Sequence, residues 1–148
     1  MGNYRAMIND RVHKYYWEDD INCATTVLKT LAEICKIDLT SQVIDSAIGM
    51  HGAGKFGAQC GLVEGSLMFI GIFGRKLGYG NQSIVSYCYN FASKFENSFG
   101  SIVCRDLRVQ GFRSDDPPHV CEEITKKAIE FTYNYINSIE KNYHKKYE

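Results

Sequence analysis

The chain has 148 residues, enough for one domain with a proper core, and its 45% apolar and 23% charged content is ordinary for a globular protein. Lys plus Arg and Asp plus Glu number 17 each, which leaves no broad basic field for nucleic acid or an anionic membrane. Residues Met1 to Ile21 mix charge with apolar residues and form no leader core, and the Met1-Gly2 start has Ala6 where a myristoylation signal needs Ser or Thr. The most apolar run, Leu62 to Phe73, is too short to span a bilayer and contains Glu64. A cytoplasmic, reducing location is therefore the expectation. Six cysteines in that setting point to free, metal-bound or redox-active thiols rather than structural disulfides.

The periodicity is helical almost throughout. Tyr4, Met7, Ile8, Val12 and Tyr15 predict a first helix ending near Trp17. Asn22 offers an N-cap for a second, with Val27, Leu28, Leu31, Ile34 and Cys35 as its apolar stripe. Val43, Ile44, Ala47 and Ile48 form the face of a short third helix that runs into a glycine loop. From Cys60 to Leu77 the chain is apolar nearly all round, as a central, enclosed helix would be. Its glycines at 61, 65, 71 and 74 each lower helix propensity by roughly 1 kcal/mol, so close approach of neighbouring backbones must offset them. Ile84 to Phe99 predicts another helix, with Val85, Cys88, Phe91, Ala92, Phe95 and Phe99 on one side and Gly100 as its stop. After Pro117-Pro118 comes a long final helix with Ile124, Ala128, Phe131, Tyr135 and Ile139 buried. No period-two strand pattern, repeat or second domain is visible. The reading is all-α: one compact single-domain bundle, residues 1–148, of about five to six helices around a glycine-rich central helix.

The stretch Gly49 to Gly57 nearly matches two phosphate-binding patterns, G-x-x-x-x-G-K and G-x-G-x-x-G. The first needs Ser or Thr after its lysine to hold magnesium, and Phe56 stands there instead. Both patterns follow a buried strand, whereas residues 41–48 repeat with helical spacing. No nucleotide is expected. The glycines instead allow a tight backbone fold that brings N–H groups near sulfur. Gly61 and Gly65, one turn apart, offer a smooth face for close packing, while relief of crowding accounts for Gly71 and Gly74.

Four cysteines fall at predicted helix starts: Cys23 after Asn22, Cys60 opening the central helix, Cys104 before a single turn, and Cys121 at the last helix. Helix N-termini carry unpaired N–H groups and partial positive charge, which favour thiolate and lower its pKa. Cys35 and Cys88 lie on apolar helix faces and read as small buried hydrophobes. There is no CxxC, so zinc-ribbon and thioredoxin signatures are absent, and no C-x-x-C-H, so c-type haem is not expected.

The segments NCATTVLKTLAEI, GAGKFGAQCGLVEGSLMFIGIFGRKLGYG, FGSIVCRDL and HVCEEITKKAIEF resemble the redox-active C-GCAxxG-C-C family, over about His13 to Ile139. The resemblance assigns Cys23, Cys60, Cys104 and Cys121 as the family's four cysteines, catalytic and metal-ligating. It assigns Cys60, Gly61 and Gly65 to its C-G-A-x-x-G motif and cofactor site, with Leu62 in the alanine position. A similar module in split-Soret cytochrome c, a dimeric electron-transfer protein, accompanies an iron–sulfur centre. The resemblance implies thiol redox chemistry or an iron–sulfur cluster, a redox partner protein or small thiol, and an enzymatic status left open.

Two chemistries fit converging thiolates. A cluster uses the sulfurs as ligands, and a dithiol cycles to a disulfide when two Cα atoms lie within roughly 7 Å. Four sulfurs exceed the needs of one disulfide, which favours a cluster or another soft metal for electron transfer, with zinc equally suited to four thiolates. Glu64, one turn after Cys60, is a candidate proton acceptor or ion-pair partner. His51 and His119 are candidate ligands or proton carriers, and Lys55 a cation favouring a nearby thiolate. A different class also fits: a helical interaction module that forms a homodimer through surfaces rich in tyrosine (Tyr133, Tyr135, Tyr143, Tyr147).

Overall fold

The computed structural model describes residues 3–108 and 115–147. The Met1-Gly2 start, the last residue of the 1–148 range and the side chain of Tyr147 lie outside the described residues. Among the described residues eight helices follow in chain order: α1 (Tyr4–Trp17), α2 (Cys23–Ile34), α3 (Ser41–Ser46), α4 (Gly52–Lys55), α5 (Gly61–Lys76), α6 (Asn81–Phe99), α7 (Cys104–Leu107) and α8 (Glu122–Tyr147). Three of them, α3, α4 and α7, are one or two turns long, so the five long helices carry the all-α bundle that the periodicity predicts.

Local chemistry sets the ends. The side chains of Asn3, Asn22 and Thr40 accept the N–H groups of Ala6, Thr25 and Val43 at the starts of α1, α2 and α3. Gly100, at φ 90°, stops α6 in a left-handed conformation that costs a glycine little. Asp20 and Lys36 do the same for α1 and α2 at φ 51° and 56°, with Ile21 and Ile37 N–H groups reaching back to the carbonyls of Tyr15 and Ala32.

Helix α5 packs against α2, α6 and α8, which makes it central, and α2 is as enclosed, touching α1, α3, α5 and α8. The α2–α5 seam is the tightest. A Cβ on Gly65 would strike the carbonyl oxygen of Ala24, and one on Gly61 would strike the sulfur of Cys23. These glycines admit a neighbouring backbone, as their spacing suggests. Gly74 is crowded by Ile84, with a Cβ 2.9 Å from Cγ1, whereas nothing approaches Gly71 within 4 Å. Crowding therefore explains Gly74 and not Gly71.

The core combines Val12, Val27, Leu28, Leu31, Phe69 and Ile70 with an aromatic cluster in which Phe91, Phe95, Phe99, Phe131 and Tyr135 meet ring to ring. On α8 the buried apolar residues are Ala128, Ile129, Tyr135, Ile136 and Ile139, joined by Thr125 and Thr132, while Ile124 and Phe131 are partly buried. Two predicted face residues point outward instead: Ile48 is 65% exposed and Val85 66%. Ile48 lies beyond the end of α3. Val85 lies six residues before Phe91, about 240° around a helix, and so on another side of α6. No helix among the described residues is long and apolar enough to cross a membrane.

Candidate functional site

The glycine stretch forms a turn of unusual hand. Gly52, Ala53, Gly54 and Lys55 have φ values of 68°, 55°, 64° and 71°, so α4 is a left-handed turn, which L-residues other than glycine adopt reluctantly. It follows helix α3, not a strand. Its N–H groups are used internally: Gly54 donates to Gly49, Lys55 to His51, and both Gly57 and Ala58 to the carbonyl of Gly52. A phosphate cradle needs such groups free. The same fact corrects the expectation that this loop turns its N–H groups on sulfur. What the turn does supply is room, because a Cβ at Gly52 would lie 3.0 Å from both Cβ and Sγ of Cys104.

After the turn the chain pairs briefly with residues 102–105. Gln59 and Val103 form an antiparallel bridge, Cys60 N–H donates to Ile102 O at 2.8 Å, and Cys104 N–H donates to Ala58 O at 2.7 Å. This short ladder sets the start of α5 beside the start of α7, and with them Cys60 and Cys104. Its only sequence trace is the β-branched pair Ile102-Val103, too short to read as a strand.

Cys23 arrives from the other side. Asn22 caps α2, and its amide nitrogen also reaches Ala47 O at 3.1 Å, Ile48 O at 2.7 Å and His51 Nδ1 at 3.0 Å. That ties the start of α2 to the glycine loop and seats the Cys23 sulfur on the backbone of Gly61, next to Cys60. Cys121 sits immediately before α8. Its carbonyl accepts from Thr125 Oγ1 at 2.7 Å, and Thr125 Oγ1 lies 2.6 Å from the buried hydroxyl of Tyr16.

All four cysteines, Cys23, Cys60, Cys104 and Cys121, therefore line one cavity of about 910 Å3, with His51, Lys55, Arg108 and His119 also on its wall. Its apolar lining includes Ile21, Ile44, Leu62, Leu107 and Ile124. Every cysteine of the chain is a free thiol. Among the described residues, no three His, Cys, Asp or Glu side chains stand close enough to hold a single metal ion.

The electrostatics reverse one expectation. Burial pushes the Cys60 thiol up to about 12, although the N–H groups of Leu62 and Val63 at the start of α5 pull the other way. Burial raises Cys23 further, aided by the neighbouring Cys60, Cys121 and Cys104, against the Ala24 N–H. Cys104 and Cys121 are raised by burial as well, against the charge of Arg108. The helix starts do aim N–H groups at sulfur, but loss of water outweighs them, so the thiols hold their protons at neutral pH.

The remaining candidates separate. His51 is lowered by burial and then by Lys55. His119 donates from Nε2 to Asp20 Oδ1 at 2.8 Å. Glu64 is raised by burial and bonded to the Gln59 side chain, and it is not part of the cavity wall. Cys35 and Cys88 lie off the cavity, partly buried against the core, with Cys35 raised to about 11 by burial. Arg108, Asp20 and Tyr16 carried no motif and were missed; the cavity alone brings them together.

No curated protein and no solved structure matches the chain. A family model described as "Putative redox-active protein (C_GCAxxG_C_C)" matches residues 21–135, a span that contains all four cavity cysteines. The chain belongs to the C_GCAxxG_C_C family of redox-active proteins.

Proposed function

We propose that the cavity is an electron-transfer centre in which Cys23, Cys60, Cys104 and Cys121 hold an iron–sulfur cluster. The observation that carries it is the convergence of four sulfurs, from four separate helix starts, on one cavity. The donor set fits: four soft thiols, N–H groups directed at Cys60 and Cys23, and the cation of Arg108 facing Cys104 and Cys121. Desolvation favours the same reading. A buried thiolate is costly alone, and a soft cation that takes its proton's place relieves that cost. A lone tetrahedral ion needs four sulfurs at about 2.3 Å from one point, a grouping the described residues do not make. A polynuclear group spans more of a 910 Å3 space. When bound it would supply one-electron chemistry. The chain's own part is to hold the sulfurs, exclude water from Cys60 and direct N–H dipoles at sulfur, which tunes potential.

A second reading is favoured by the seat of Cys23 on Gly61, next to Cys60. Two thiols there would lose two protons and two electrons to an acceptor, a partner disulfide or a small-molecule disulfide, and form one S–S bond.

Anaerobic purification followed by iron and acid-labile sulfide analysis separates the two. The cluster reading expects both elements and a visible absorption band, each lost in Cys60→Ser. Colourless, iron-free protein that gains a Cys23–Cys60 disulfide on mild oxidation would replace it with the second.

A further inference from the structure

Cys121 is held from two directions by the end of α1. Its carbonyl is bonded to Thr125, whose hydroxyl meets the phenol of Tyr16. Two residues earlier, His119 stacks on the Tyr16 ring at 4.6 Å and 12°, meets Trp17 edge-on at 5.4 Å, and bonds through Nε2 to Asp20 at 2.8 Å. The His119–Asp20 bond spans 99 residues of chain. Asp20 stands three residues before Cys23, and both Asp20 and His119 are on the cavity wall.

The energetics of the pair do not explain it. The Asp20 side chain is 85% exposed, so its attraction to His119 is screened and adds little to stability. The left-handed φ of Asp20 is the ordinary stop of α1, whereas His119 holds φ 58° in the turn that leads into α8, where its carbonyl accepts the Glu122 N–H at 3.1 Å. A strained residue persists where its surroundings over-determine it, often at a functional site. The surroundings here are three aromatic and carboxylate contacts on one imidazole.

We propose that Asp20 and His119 form a positioning clamp that fixes where the Cys121 sulfur stands relative to Cys23 in the shared cavity. The clamp rests on the reading that these sulfurs act together. It joins the two segments that deliver them, and neither α1 nor α8 needs it to be a helix. His119 acts through position, with the imidazole plane set by Tyr16 and its rotation by Asp20.

The test uses the full-length, reduced, metal-free chain. A two-carbon bismaleimide is added and the Cys23–Cys121 cross-link is quantified by peptide analysis. Asp20→Gly and His119→Asn, both of which tolerate the left-handed backbone, are expected to lower the yield about fivefold or more, because the second alkylation depends on effective concentration. Asp20→Asn keeps an oxygen that accepts from His119 Nε2 and is expected to match the wild type. Wild-type yields from Asp20→Gly, or no Cys23–Cys121 product in the wild type, would overturn the clamp. Should His119→Asn lose helical circular dichroism, the exposed Asp20→Gly decides the matter. Iron-free protein from anaerobic cells would sink the cluster reading yet leave this yield ratio unchanged.

Discussion

Gly61 is the residue on which the sulfur geometry turns. Its missing side chain lets Cys23 rest on the first turn of α5, and the other atoms around that space, Ala24 N and His51 Cα at 3.1 Å, are backbone that cannot swing aside. Gly61→Ala is therefore expected to destabilise the chain by roughly 1–3 kcal/mol, as overpacking does in a close-packed core, and to change the alkylation rate of Cys23. Gly71→Ala is the control. Nothing lies within 4 Å of its would-be Cβ, so the same change there is expected to stabilise by roughly 0.5–1 kcal/mol through helix propensity. Urea denaturation of the two variants checks the opposite signs.

At the scale of elements, the small pieces matter more than the long helices. The turn α4 and the Gln59–Val103 bridge contribute little core, yet they set where Cys60 and Cys104 stand. Asn22 has a similar part, since one side chain caps α2 and also holds the carbonyls of Ala47 and Ile48. Asn22→Ala is expected to cost about 1–2 kcal/mol, the upper range for a lost cap. Thr40→Ala, whose cap bond is long at 3.4 Å, should cost less. Asn22→Asp separates the two duties: it keeps the acceptor for Thr25 N–H and places a carboxylate against two carbonyls. Chemical denaturation of the three variants should rank Thr40→Ala the most stable.

For the whole molecule, buried thiols make stability depend on pH. Cys60 keeps its proton in the fold up to about 12, whereas an ordinary thiol at 9.0 has lost it well before. The unfolded chain then binds fewer protons than the folded one, so stability falls as pH rises. The contribution is whole below about pH 9 and is lost toward pH 12, at roughly 1.4 kcal/mol per pH unit for a single thiol. Cys23, raised for the same reason, adds to the slope. Urea midpoints of the metal-free chain measured from pH 8 upward should show the decline, and Cys60→Ser should reduce it. A loaded centre, whose sulfurs have already released their protons, is expected to be insensitive over the same range.

Helix positions and cysteine placement were legible from local features. Asn22 and Gly100 act within one or two turns of their own position, and the spacing of Val27, Leu28 and Leu31 is a property of a single helix. All four cavity cysteines do stand at or directly before helix starts, as the segments indicated. The faces of α6 and the end of α3 were less legible, because which apolar residue is covered depends on the neighbour. The pKa direction was not legible at all. A helix terminus is a local source of partial charge, but burial is set by every element packed around the sulfur, and here burial dominates. The sequence by itself determined the elements, the thiols and their family. The tertiary structure decided that four sulfurs share one cavity, because the α2–α5 seam, the 59–103 bridge and the Tyr16–Thr125 and Asp20–His119 contacts join segments that are distant along the chain.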